Sequence, residues 1–451
     1  MKLTSHGAAD GVTGSKHLIE FAGAHILLDC GLFQGLKLHR ERNWQPLPFD
    51  PASIDAVVLS HAHLDHSGFL PVLVKRGYRG PVYTSAATRD LADVLLRDSA
   101  HLQEEDARRA NRYGTSKHEK ALPLYTGADA VRAVQRMTPL ATGQSVRVGH
   151  VEVSLTPVGH LLGANAITLA ADGERIVFSG DLGRQHDLLL PPPQQLAQAD
   201  VLLIEATYGN RRHPHDDVQA LLGDTIRRTV QRGGSVLLPS FAIGRAQALL
   251  LVLQRLRRAG DIPSSLPIFV DSPMATAATE VTLRHRKLLA LPKREIDSLT
   301  DGVRFIETAA QSQRLTRSRY PAVIISASGM ATGGRVLHHL SAMAPDGRHH
   351  IVFPGFQVAG TRGARLVAGE REVKIFGEMV PVRAEISHLE GFSGHADADE
   401  LMQWLRGFKR APRHTFVVHG DLDATDALRF RIGNELGWRA SVPPHAQTVE
   451  G

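Results

Sequence analysis

At 451 residues, 43% hydrophobic and 22% charged, the chain is long enough for two or three domains and too apolar to be read as disordered. The formal net charge of +6 is modest, and no apolar run reaches the roughly 18 residues that span a bilayer. Cys30 is the single cysteine, which excludes an intrachain disulfide and a thiolate zinc knuckle, so any metal must be held by His, Asp or Glu.

The opening MKLTSHGAADGVTG has neither the charged start nor the apolar core of a secretory signal. A cytoplasmic protein with no membrane partner is therefore expected. Short apolar runs at 17–21, 25–28, 55–59, 151–155, 175–178 and 201–204 predict the strands of a β-rich sandwich, with helices at 85–110 and after His66. The rhythm then changes. Strands at 235–238, 268–270, 322–325 and 350–353 alternate with helices at 245–258 and 276–289, the pattern of a parallel α/β sheet. After Val382 the β-rich style returns, with a strand at 415–418 and helices at 397–408 and 425–436. Charge follows the same division. Residues 209–385 carry 25 Lys and Arg against 15 Asp and Glu, leaving 27 against 31 elsewhere, so the middle is basic and the ends are mildly acidic.

The sharpest chemical signal is Ser60-His61-Ala62-His63-Leu64-Asp65-His66, directly after the apolar run 55–59. Side-chain direction alternates in extended chain, so His61 and His63 can share one side, with Asp65 and His66 facing a neighbouring point. Two imidazoles on one ion and a carboxylate with an imidazole on another suit a binuclear site, with zinc favoured and manganese or iron as alternatives. His160 and Asp181 also follow strands, in Pro157-Val158-Gly159-His160 and Ser179-Gly180-Asp181. A carboxylate between two ions can bridge them, which makes Asp181 the candidate bridge. Asp29, in Leu28-Asp29-Cys30-Gly31, ends a further strand and could accept a hydrogen bond from a ligand; an ordinary turn aspartate is the alternative.

The ordered set of Asp29, His61-Ala62-His63-Leu64-Asp65-His66, His160 and Asp181 resembles the metallo-β-lactamase superfamily. Its continuation resembles motifs A, B and C of the β-CASP nucleases: Glu205-Ala206-Thr207-Tyr208, Ser393-Gly394-His395-Ala396-Asp397 and Val418-His419-Gly420. Pro239-Ser240-Phe241-Ala242-Ile243-Gly244-Arg245 and Ser326-Ala327-Ser328-Gly329-Met330-Ala331-Thr332-Gly333-Gly334-Arg335 are similar to that branch's inserted domain. The implied architecture is an αββα sandwich over 1–208 and 379–451, interrupted by an inserted α/β β-CASP domain at 209–378.

The resemblance further implies two zinc ions per chain, with manganese as an alternative. His61, His63 and His160 would hold one ion, Asp65, His66 and His419 the other, and Asp181 would bridge. His395 would be a general acid paired with Glu205. Arg245, Ser328, Gly333, Gly334 and Arg335 would contact RNA through helix starts and cationic side chains. The implied activity is endonucleolytic cleavage of single-stranded RNA to 5′-phosphate and 3′-hydroxyl ends, since RNA-directed members resemble this chain in carrying His at position 419. A homodimer is a further expectation. The competing readings are a DNA, ester or thioester hydrolase of the same fold, and an RNA-binding scaffold without activity.

Overall fold

Runs such as AHILL at Ala24–Leu28, VLLIE at Val201–Glu205 and HTFVV at His414–Val418 lack the in–out alternation of a one-sided sheet, as strands covered on both faces should. The computed structural model describes residues 1–115, 119–214, 216–358 and 360–451. It divides into two compact units, Met1–Arg212 with His395–Gly451, and His213–Gly394.

The first unit holds two seven-stranded sheets. One runs in the order Thr448–Glu450, Lys2–Gly7, Lys16–Phe21, Ala24–Leu28, Ala56–Val58, Val82–Thr84 and Met137–Pro139. The other runs Ala440–Ser441, His414–Val418, Val201–Glu205, Glu174–Phe178, Asn165–Ala171, Val151–Pro157 and Ser145–Val148. Ile26, Leu28, Ala56 and Val58 of the first share one core with Val153, Leu155, Phe178, Leu203 and Val418 of the second. The alternate residues Leu27, Val57, Leu202 and Ile204 are also fully buried, on the outer faces. Helices such as Leu422–Leu436, packed on His414–Val418, cover those faces, giving the αββα sandwich. Among the described residues no helix is long and apolar enough to cross a membrane.

The second unit is built on a six-stranded, all-parallel sheet in the order Val303–Phe305, Ile268–Asp271, Val323–Ser326, Val236–Pro239, His350–Pro354, Glu385–Leu389. Two expectations change here. The inserted unit runs to Gly394 rather than ending at 378, because Glu385–Leu389 pairs in parallel with His350–Pro354 along its whole length. An exposed-to-buried run of mixed residues gives no hint of which sheet it will join. The helix expected at 276–289 spans Pro273–Arg284 instead: Pro273 in its first turn and Ser272 Oγ accepting from Ala275 N set the earlier start, and beyond His285 the chain tightens into a 3-10 turn over Arg286–Leu288.

Candidate active site

Six strand ends of the first unit deliver the chemistry. Asp29, the segment from Ser60, His160, Asp181, Glu205 and His419 each lie at or just beyond the carboxyl end of a strand. In a layered sheet this is where backbone leaves the ladder and side chains can converge. Two of these residues, Asp29 and His419, adopt left-handed backbone at φ 59° and 52°, a conformation that non-glycine residues hold only when surroundings enforce it.

Close backbone contacts set the positions. His63 precedes the short helix Leu64–Ser67, so Asp65 and His66 fall in its first turn. The loop after Asp29 clamps that turn, with Cys30 N donating to His66 O at 2.8 Å and Leu32 N to Leu64 O at 2.8 Å. A Cβ on Gly31 would stand 1.6 Å from Asp65 O, so only glycine permits the clamp. Gly180, at φ 56°, likewise lies on Ser60: an added Cβ would meet Ser60 Cβ at 2.7 Å, and Asp181 would be displaced.

Three imidazole nitrogens converge in the first cluster. His63 Nδ1 lies 3.0 Å from His61 Nε2 and 3.2 Å from His160 Nε2. Asp181 Oδ2 faces the same point, 3.6 Å from both His61 Nε2 and His160 Nε2. Ligand atoms about 2 Å from a shared ion stand roughly 3.3 Å apart, which these separations fit. In the second cluster His66 Nε2 and His419 Nε2 are 3.0 Å apart, with Asp65 Oδ2 at 3.9 and 3.6 Å from them. Asp181 Oδ1 lies 3.4 Å from His66 Nε2 and 3.4 Å from His419 Nδ1. One carboxylate therefore turns one oxygen to each cluster. Asp181 Oδ1 is buried yet receives no hydrogen bond of acceptable geometry among the described residues, an orphaned anionic atom that a cation would satisfy.

Ionisation agrees with ligation. Burial holds His63 down to about 4 and His61 well below its ordinary value, so both rings offer lone pairs at neutral pH. Burial also opposes charge on His66, but Asp181, Asp29 and Asp65 outweigh it and raise its pKa well above normal. Ligation at His66 Nε2 is thus coupled to proton release. Asp181 and Asp65 are ionised despite burial, because the surrounding imidazoles hold both pKa values well down.

Asp29 is fully buried and fixes the orientation of its neighbours. A carboxylate can only accept, so His66 Nδ1 at 2.7 Å carries the proton and Nε2 is left for a metal. The same carboxylate accepts from Ser60 N at 2.7 Å and Ser60 Oγ at 2.9 Å. Ser60 Oγ is in turn 3.1 Å from His61 Nδ1, extending the chain to the first cluster. Thr207 Oγ1, 3.2 Å from His419 Nδ1, does the same for that ring. Lys16, buried, donates to Gly14 O and to Gly31 O and sits 4.5 Å from the Phe33 ring centroid, tying together the loops around Asp29. Sequence reasoning assigned no role to Ser60, Thr207 or Lys16. The first two stand inside quoted motifs, but a hydroxyl's partner depends on which strand ends meet.

His395 comes onto the site through Ala396 N, which donates to Leu182 O at 2.8 Å. Its ring lies 4.3 Å from that of His160, and its Nδ1 is 3.5 Å from Glu205 Oε1 and 3.9 Å from Asp181 Oδ2. Burial lowers its pKa, but Glu205 and then Asp181 prevail and raise it. Glu205 is itself held by Leu182 N at 2.6 Å and Thr207 N at 3.1 Å. The helix-capping role near this position belongs to Asp397, whose side chain accepts from Asp399 N and Glu400 N.

The five residues expected to contact RNA lie in the second unit, and the structure gives them different surroundings. Arg335 spends its guanidinium internally, on Asp271 Oδ1 at 2.8 Å, Ile306 O at 2.9 Å and Glu307 O at 2.7 Å. It is a structural cation there, one of three groups on the fully buried Asp271, whose Oδ2 also lies 2.7 Å from His339 Nε2 and accepts from Ser312 Oγ. The helix start after Gly333 and Gly334 is also occupied, with Val336 N donating to Ala327 O at 3.3 Å. Ser328 Oγ accepts from Thr332 N at 3.1 Å. Arg245 lies against Gly355, whose added Cβ would stand 3.5 Å from its Nη2.

Family models match almost the whole chain: a β-lactamase superfamily domain over 24–239, a Beta-Casp domain over 246–366 and a Zn-dependent metallo-hydrolase RNA specificity domain over 379–443. A ribonuclease of Thermus thermophilus is 37% identical over 95% of this chain and 95% of its own. The transcription termination factor FttA of Methanosarcina mazei is 30% identical over 100% of this chain and 71% of its own. In fold, a crystal structure of a protein of unknown function from Enterococcus faecalis superposes with a TM-score of 0.59 at 15% identity, covering 99% of each chain.

Proposed function

Because the chain belongs to the β-CASP nucleases of the metallo-β-lactamase superfamily, we propose that it is a zinc-dependent endoribonuclease that cuts single-stranded RNA to 5′-phosphate and 3′-hydroxyl ends. The observation that carries this reading is the Asp181 carboxylate, which turns Oδ2 to His61 and His160 and Oδ1 to His66 and His419. Seven donors exceed the needs of one four-coordinate ion and suit two. His61, His63 and His160 would hold the first, Asp65, His66 and His419 the second, with Asp181 shared. Such a pair supplies a nucleophile at neutral pH and neutralises charge on phosphoryl oxygens.

The chain's own residues do the rest. Asp29, Ser60 and Thr207 keep the His66, His61 and His419 rings turned so that one nitrogen of each faces the site. His395 holds a proton on an imidazole that Glu205 favours in its charged form, and delivers it to the departing ribose oxygen. That step needs an acid because an alkoxide is a poor leaving group. RNA as substrate is supported by the RNA specificity model over 379–443 and by the relative named as a ribonuclease. A silent scaffold would not need all seven donors. The test is incubation of metal-loaded protein with end-labelled RNA and matched DNA, with product ends mapped and metal content measured. Internal cuts in RNA bearing 5′-phosphates, with about two ions per chain, are expected. Cleavage of DNA alone, or full activity with one ion, would overturn the reading, and Asp181→Asn should lose both ions together.

A further inference from the structure

The second unit has a cavity that no part of this chemistry uses. It opens at the amino ends of three neighbouring parallel strands, Val323–Ser326, Val236–Pro239 and His350–Pro354, the edge opposite to Phe241 and Ser328. Its volume is about 150 Å³, room for roughly five waters. Ser235, Thr316, His339 and His349 line it, with Arg319 and Tyr320 at the rim.

The floor of the cavity is apolar, with Leu315, Ile324 and Met343, and its polar groups lie towards the Arg319–Tyr320 turn. Ser235 Oγ donates to Tyr320 O and accepts from Ala322 N, so the backbone of the Arg319–Tyr320 turn is pinned. The Tyr320 ring is nevertheless 81% exposed. Of the two arginines that line the cavity, Arg319 has no carboxylate within ion-pair distance among the described residues, while Arg348 is engaged by Asp346. Ser235 N donates to His349 Nδ1 at 2.9 Å, and His349 Nε2 faces the Asp346 carboxylate, 3.8 Å from Oδ2, so this imidazole is already committed at both nitrogens. An exposed aromatic ring on a pinned backbone and the unpaired Arg319 guanidinium beside a small cavity match the base and the phosphate of a nucleotide.

We propose that this cavity is a nucleoside-phosphate subsite, in which Tyr320 stacks a base and Arg319 takes the phosphate. The ligand is a free nucleotide or one residue of an RNA strand; both present the same chemistry. It does not require that the chain cleave RNA.

Calorimetric titration with AMP, adenosine and inorganic phosphate, beside anisotropy of labelled 5- and 15-nucleotide RNA in chelator, separates the sources. Arg319→Glu should weaken AMP and phosphate by about tenfold or more. Tyr320→Ala should weaken AMP and adenosine by roughly five- to a hundredfold and leave phosphate unchanged. If AMP binds and only its affinity falls in the variants, the source is free nucleotide. If 15-nucleotide RNA weakens and the 5-mer does not, it is an RNA strand. Both side chains are exposed, and melting temperature and metal content should stay at wild-type values. If neither AMP nor RNA affinity changes in either variant, the assignment is wrong, and the metal-site reading stands untouched.

Discussion

Asp29→Asn isolates the contribution of ring orientation to the metal centre. The substitution is nearly isosteric, and asparagine tolerates the left-handed backbone that position 29 adopts at φ 59°. Its carbonyl oxygen can keep the 2.7 Å bond from Ser60 N. Its amide nitrogen then occupies the place of Oδ2, which now accepts from His66 Nδ1 at 2.7 Å and from Ser60 Oγ at 2.9 Å. Two donors cannot face each other, so His66 moves its proton to Nε2, the atom needed for ligation. Restoring the ligating form costs a buried hydrogen bond, which corresponds to about 10–100-fold in affinity for the ion held by His66. His61 connects to Asp29 only through Ser60 Oγ, so its site should lose less. Competition against a fluorescent chelator, resolving tight and weak equivalents, reads both affinities, and a thermal melt controls for folding. Unchanged affinities at both sites would refute the orientation argument, as would equal loss at both in a protein that melts like wild type.

His395→Ala should keep both metals and lower single-turnover cleavage by about 10²–10⁴-fold, with substantial recovery on an RNA carrying a better leaving group; no recovery would assign His395 to phosphate positioning instead. Since carboxylates raise the His395 pKa against burial, the acid form persists to higher pH than for a free imidazole and cleavage falls as pH rises through that value. Glu205→Gln should therefore move the falling limb of the pH profile to lower pH, and an unmoved limb would remove Glu205 from that role. Arg335→Ala removes one of three partners of the buried Asp271, His339 and Ser312 remaining, so a loss of about 1.5–3 kcal/mol in denaturant melts is expected, with little change in RNA affinity of the folded protein; the opposite pattern would return Arg335 to the RNA surface. Arg245→Ala should reduce the slope of log affinity against log salt by about one with metal content intact, which filter binding across salt concentrations measures.

Much of the centre was legible in the chain itself. His61, His63, Asp65 and His66 within six residues at a strand end leave few other uses, and alternation in extended backbone already sorts the two histidines to one side. Periodicity located four of the six parallel strands of the inserted unit, because strands covered on both faces read as unbroken apolar runs, and missed the edge strands Val303–Phe305 and Glu385–Leu389. Short or polar strands such as Val82–Thr84 and Met137–Pro139 gave no comparable signal and appear only through their neighbours. Pairing is a long-range matter. Glu385–Leu389 joins the inserted sheet because His350–Pro354 offers it a free edge, and nothing within those five residues distinguishes that edge from one in the sandwich.

Side-chain partnership divides along the same line. Residue type says that Arg335 carries a positive charge and that Ser60 and Thr207 carry hydroxyls. Only the folded chain decides that the guanidinium is consumed by Asp271, and that the hydroxyls steady His61 and His419. Ligand identity is a local property, set by which functional groups a short segment contains. Whether a charge or hydrogen bond remains available for substrate depends on groups brought together from distant strands, and hydrogen-bond saturation in a buried setting leaves those groups little choice.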